Sequence, residues 1–171
     1  PDMPAIMKVK SEPFDKIVKS LDAPDDLRDA RVAPVDRWKI DSIEATPAGA
    51  PAVVLVKDDD AKWHWAAKDG PEMPAEQMNS LLDDIDNLKA TSFLDRPGAA
   101  DQRDTALTVT LREPGAATPV SWTFKVGVLG KTDGAARRVV SSAGAPIYLV
   151  PDGGAAELIG KCQALKKPEP Q

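Results

Sequence analysis

Residues 63–94 read WHWAAKDGPEMPAEQMNSLLDDIDNLKATSFL, and within this stretch the spacing of the apolar residues changes. Trp63 and Trp65 fall on one side of an extended segment and His64 on the other, the period of two that marks a strand. Beyond Pro74, Met78, Leu81, Leu82, Ile85 and Leu88 recur at three- and four-residue intervals, the apolar stripe of an amphipathic helix. The spacing predicts one long helix over 74–93, with Pro74 in its first turn, where a missing N–H breaks no intrahelical bond. A strand running into a helix that needs a sheet to cover its stripe points to the α+β class.

The neighbouring segments are read mostly as strands. Ala52–Val56 (AVVLV) is a short β-branched run, expected to be buried on both faces, and KDDDAK then forms the tip of a hairpin whose return strand is Lys62–Ala66. In residues 33–51, Trp38, Ile40 and Ile43 do not keep one parity, so a bulged strand is expected there. Leu107, Val109 and Leu111 alternate with polar residues, as do Val120, Trp122, Phe124, Val126 and Val128, giving two strands with one wet face each. A further strand is expected near Arg137–Ser141, after the GKTDG turn.

The two ends share one device. Ile6, Met7 and Val9 correspond to Ile147, Tyr148 and Val150 as short strand-like runs, and Ser11 and Asp152 follow as helix N-caps. Phe14, Ile17, Val18 and Leu21 then match Ala155, Leu158, Ile159 and Cys162, both at helical spacing. The whole reads as a single α+β domain over 1–171. Its core is an antiparallel meander of about six or seven strands, packed by one long and two shorter helices. Residues 24–165 form the main unit, 1–21 the strand–helix tail of a preceding unit, and 166–171 (KKPEPQ) a tail.

Composition narrows the function classes. The chain has 171 residues, 42% apolar and 29% charged, a balance that supports a folded core. A net charge of −5 without a basic stripe argues against nucleic-acid binding. No run approaches 18 apolar residues, so no membrane insertion by this stretch is expected, and no signal peptide opens it; a start at Pro1 reads as processed or excised. A single cysteine excludes an internal disulfide.

Each candidate for chemistry meets a simpler reading. Gly127–Thr132 (GVLGKT) lacks the first glycine of a phosphate-binding loop, since Lys125 stands there, and a strand follows where that loop needs a helix. Asp58, Asp59 and Asp60 do not fit a calcium loop, because its fifth and sixth positions would be Lys62 and Trp63. Asp83, Asp84 and Asp86 lie off the helix stripe, as solvated charge does. His64, the single histidine, reads as a surface residue, and Ser141 and Ser142 have no strained elbow to make either a nucleophile. Cys162 reads as a small core residue. No catalytic residue, metal ligand or cofactor is therefore assigned. The candidate interaction surface is Trp63 and Trp65 with Asp58, Asp59 and Asp60, and Trp38 joins it wherever the tryptophans are not core.

Three stretches resemble the DUF4340 family: PDDLRDARVAPVDRWKIDSIEA (24–45), WHWAAKDGPEMPAEQMNSLLDDIDNLKATSFL (63–94) and VGVLGKTDGAARRVVSSAGAPIYLV (126–150). The resemblance implies an extracytoplasmic setting, an N-terminal membrane anchor in the full-length protein, and association with ABC-transporter components of the gliding-motility type. It carries no catalytic residues. The expected function is a non-enzymatic interaction module whose partners are other proteins, ABC-transporter subunits among them. A glycan-binding module and an undetected hydrolase are the alternatives.

Overall fold

In a computed structural model, the chain is described over residues 28–94, 104–114, 120–129, 135–142 and 144–165. Eight strands form one antiparallel sheet: β1 Ser42–Pro47, β2 Val53–Lys57, β3 Trp63–Trp65, β4 Ser92–Leu94, β5 Thr105–Glu113, β6 Val120–Gly127, β7 Ala136–Ser141 and β8 Gly144–Pro151. Their spatial order is β3-β2-β1-β5-β6-β7-β8-β4. Two helices, α1 Ala75–Asp86 and α2 Asp152–Ala164, complete the described elements.

The α+β class holds, with one more strand than expected and a topology that departs from a plain meander. β1 sits between β2 and β5, pairing Ile43 with Leu55 on one side and with Leu111 on the other. β4 closes the far edge beside β8, with Phe93 opposite Tyr148. The β1–β5 and β4–β8 pairings join strands that are not neighbours in the chain. One unbroken row of core side chains runs across the sheet through Leu55, Ile43, Leu111, Val109, Phe124, Val126 and Val139, all 1% exposed or less.

The helices cover that face. Met78, Leu81, Leu82 and Ile85 of α1 are buried, and so are Ala155, Leu158, Ile159 and Cys162 of α2, the two stripes that the spacing marked. Lys161 ties the helices together, donating to Ser80 Oγ at 2.8 Å and lying 2.6 Å from Asp84 Oδ2. Asp84 first, and then Glu157 at 3.5 Å, hold its ammonium group above the usual lysine range.

Several expectations are corrected. α1 is 12 residues long and ends at Asp86, with Asn87 as its C-cap, so it is no longer than the 13-residue α2. The chain beyond it is drawn into the sheet: Ala90 N–H donates to Ala30 O, Thr91 N–H to Leu149 O, and Phe93 meets Tyr148 edge-on at 5.6 Å. Thr91-Ser92-Phe93 suits a strand better than a helix end, and sheet pairing decides the matter. β2 is buried on one face only, with Val53 and Leu55 inside and Val54 and Val56 half-buried.

β1 pairs without a bulge; the register shifts lie in β5 at Thr105/Leu107 and in β7 at Val139/Ser141. Asp152 is not an N-cap. Pro151 holds that place, while the Asp152 carboxylate accepts from Arg137 Nε at 2.5 Å. The strand–helix pair expected over 1–21, the GKTDG turn and the KKPEPQ tail lie outside the described residues.

Candidate functional site

Among the described residues, Trp38 is the most exposed of the large apolar side chains, at 79%. It stands in a turn rather than a strand, which is why its parity disagrees with that of Ile43. Asp36 builds the turn: its carbonyl accepts from Lys39 N–H at 2.9 Å and its carboxylate from Trp38 N–H at 3.1 Å. An aspartate side chain that bonds the backbone two residues on is a common way to fix such a turn.

Two further contacts hold Trp38 in place. The Arg37 guanidinium lies 5.3 Å from the indole centroid, a cation–π distance, and itself donates to Asp83 of α1 at 2.5 Å. Lys57 Nζ donates to the Trp38 carbonyl at 3.1 Å and sits 5.1 Å from the Trp63 ring. Burial of that ammonium group lowers its pKa, which Asp41 partly opposes.

Trp38 lies on the rim of a cleft of about 630 Å³ at one end of β1, β2 and β5. Ile40 forms part of the lining, and the polar lining includes Asp41, Lys57, Asp58, Lys68 and Arg112. Asp59 also reaches the cleft and is paired with Lys68 at 2.5 Å. A second cleft of about 510 Å³ lies between α1 and α2, lined in part by Ser80 and Lys161, which are bonded to each other.

The predicted surface therefore divides. Trp63 and Trp65 are buried, at 8% and 6% exposure, and belong to the core against Leu55. They cannot serve as a docking platform. Asp59 and Asp60 are exposed, but Asp58 is the hub of the hairpin tip. Its Oδ1 accepts from Asp60 N–H at 3.0 Å and from Lys62 N–H at 2.8 Å, and its Oδ2 lies 2.8 Å from His64 Nε2. These bonds, that from Lys62 foremost, hold its carboxyl below the usual carboxylate range.

A carboxylate so engaged has little left for a calcium ion. Among the described residues no group of three or more His, Cys, Asp or Glu side chains is placed to hold a metal.

His64 is half-buried rather than a free surface residue. Its Nδ1 lies 2.9 Å from Gly70 O, and that contact, followed by Asp58, raises its pKa. With both ring nitrogens occupied it has no free position for acting as a base. Cys162 is buried, and desolvation pushes its thiol up to about 12, with Asp84 adding to the effect. Ser141 is buried too, while Ser142 Oγ accepts from Thr123 N–H at 3.1 Å. No helix among the described residues is long and apolar enough to cross a membrane.

Of the three tryptophans named as candidates, Trp38 is thus the one that is not core. The signal that finds it is the VDRWK turn, with an aspartate two residues before the ring.

Comparison with curated proteins and with solved structures returns no match. A family model described as a domain of unknown function, DUF4340, matches residues 1–112, a span that reaches from the first residue through the cleft-lining Arg112 of β5. With well over half of its length matched, this chain belongs to the DUF4340 family.

Proposed function

We propose that this domain is a non-enzymatic interaction module that recognises a protein partner through Trp38 and the cleft beside it. The observation that carries the reading is the pairing of high exposure with fixed geometry. A 79% exposed indole would normally be left to move, yet here its turn, its carbonyl and one side of its ring are each held by a named partner. Tryptophan and arginine are the side chains that most often dominate protein–protein affinity, and preorganisation lowers the entropy lost on binding. Arg37 and Arg112 stand beside Trp38 and in the same cleft.

The biological setting in this proposal comes from the family resemblance. The module acts outside the cytoplasm, in a full-length protein anchored to the membrane, as an accessory part of an ABC-transporter-linked or envelope assembly. The test is affinity capture from membranes of the source organism with the wild-type domain and with Trp38→Ala. Transporter subunits retained by the first and lost with the second support the proposal. Equal recovery by both domains refutes the role of Trp38.

A second reading rests on the same indole, since an exposed ring beside Asp41 and Asp59 could stack on a sugar. Quenching or a shift of tryptophan fluorescence by a polysaccharide, absent in Trp38→Ala, would favour a glycan ligand over a protein.

A further inference from the structure

The ring of His64 lies between two oxygens, Gly70 O at 2.9 Å from Nδ1 and Asp58 Oδ2 at 2.8 Å from Nε2. A carbonyl oxygen can only accept, and so can an ionised carboxylate. A neutral imidazole has one N–H, so either tautomer would leave a ring lone pair facing an oxygen lone pair. Moving the proton to Asp58 is opposed by the two backbone N–H groups that already bond its other oxygen and favour the ionised form.

We infer that His64 is a proton-operated latch, which in its doubly protonated form ties the hairpin tip at Asp58 to the turn at Gly70. The tip and the turn are also joined by two ion pairs between exposed side chains, Lys68 with Asp59 at 2.5 Å and Lys62 with Glu72 at 3.1 Å, whereas His64 supplies the half-buried tie. Asp58 N–H donates to Lys62 O across the tip, and Gly70 N–H donates to Ala67 O behind it. The remaining charged group opposite His64 is Glu72, its bridge partner across the strand, and Glu72 is itself paired with Lys62 at 3.1 Å. From β2 the residue beside His64 is the uncharged Val56. Every acidic group in its surroundings therefore favours the cation.

Loss of the proton releases one of the two ties. Asp58, Asp59 and Lys68 all line the cleft beside Trp38, so release loosens that wall. The latch thus makes the cleft pH-sensitive, formed while His64 is charged and relaxed as pH rises through its pKa. This consequence for binding rests on the proposed reading of the cleft, whereas the latch itself does not.

His64 is the single histidine of the chain, so one ring signal reports it without ambiguity. The experiment is long-range ¹⁵N–¹H correlation NMR of the isotope-labelled protein from acid to alkaline pH, with no partner added. The expected result is a ring protonated at both nitrogens to above the ordinary histidine pKa. The Asp59 and Lys68 amide signals should shift with the same midpoint. Asp58→Asn should move the midpoint down. His64→Gln should remove the midpoint from the Asp59 and Lys68 signals, an independent readout should the Asp58 variant fold poorly.

A ring that is neutral at pH 6, or a midpoint that Asp58→Asn leaves in place, overturns the latch without touching the binding proposal. A normal latch with motionless Asp59 and Lys68 signals overturns its link to the cleft.

Discussion

The same chemical change at two glycines should move stability in opposite directions. A Cβ built at Gly70 overlaps the carbonyl oxygen of Trp65 and lies only 3.0 Å from that of Ala67; real Cβ contacts essentially never fall below that distance. Neither oxygen can retreat freely. The Trp65 carbonyl accepts from Ala67 N–H at 2.8 Å, around Ala66 with its φ of 66°, and the Ala67 carbonyl accepts from Gly70 N–H at 2.9 Å. Gly70→Ala must therefore open this turn and shift β3, where Trp65 is packed.

At Gly160, on the exposed side of α2, a Cβ meets nothing within 4 Å. Overpacking costs about 1–3 kcal/mol, whereas alanine in place of glycine inside a helix contributes about 0.8–1 kcal/mol of stability. For a chain of this size, about 2–4 °C of melting temperature goes with each kcal/mol. Gly70→Ala should then lower the midpoint by about 2–12 °C and Gly160→Ala should raise it by about 2–4 °C. Thermal unfolding followed by circular dichroism, with urea melts as a check, measures both. A neutral or stabilising Gly70→Ala would show that the turn is not built as described. A destabilising Gly160→Ala would show that the outer face of α2 is covered.

Three further outcomes are expected. Truncating Trp63 or Trp65 to alanine should cost about 3–5 kcal/mol in urea unfolding, while Trp38→Ala should stay within about 0.5 kcal/mol of wild type because its ring is largely in solvent. The Cys162 thiol, buried and raised to about 12, should resist a thiol reagent in the native protein and react once urea unfolds it; fast native labelling would contradict its place on the buried face of α2.

The third outcome concerns acid. Asp58 and Asp29 are held below the usual carboxylate range, so their contributions are present above about pH 4 and are lost as pH falls through the depressed folded-state values. The raised pKa of His64 acts in the opposite sense, its contribution being complete below its unfolded value and lost as pH rises through the folded one. Urea midpoints should therefore be highest between about pH 4 and pH 6.5 as far as these groups decide it, and Asp58→Asn should weaken both limbs.

What could be read from the chain was what lies within one element. The stripes Met78–Leu81–Leu82–Ile85 and Ala155–Leu158–Ile159–Cys162 repeat at helical spacing because each helix has one buried face, and the structure buries both sets. The alternation in Trp63-His64-Trp65 likewise survives as inside, outside, inside. Pairings between distant segments leave no such trace. Nothing local says that Ile43 lies beside Leu111, or that the chain after α1 crosses to the far edge to pair with β8.

The candidate site suffered from the same limit. Parity placed Trp38 in a strand, when Asp36 had already turned the backbone there. His64 looked like surface because its partners, Gly70 and Asp58, come from opposite sides of β3. Asp58 resembled its two exposed neighbours until its three donors were in view.

The most direct test of the central claim is a photo-crosslinking residue placed at position 38 of the protein produced in cells of its source organism, with the same probe at Ala156 on the exposed side of α2 as control. The account predicts a discrete crosslink from position 38 to a transporter subunit or another envelope protein, and none to that protein from position 156. Crosslinks of equal yield from both positions, or none from position 38 where position 156 reacts, would contradict it.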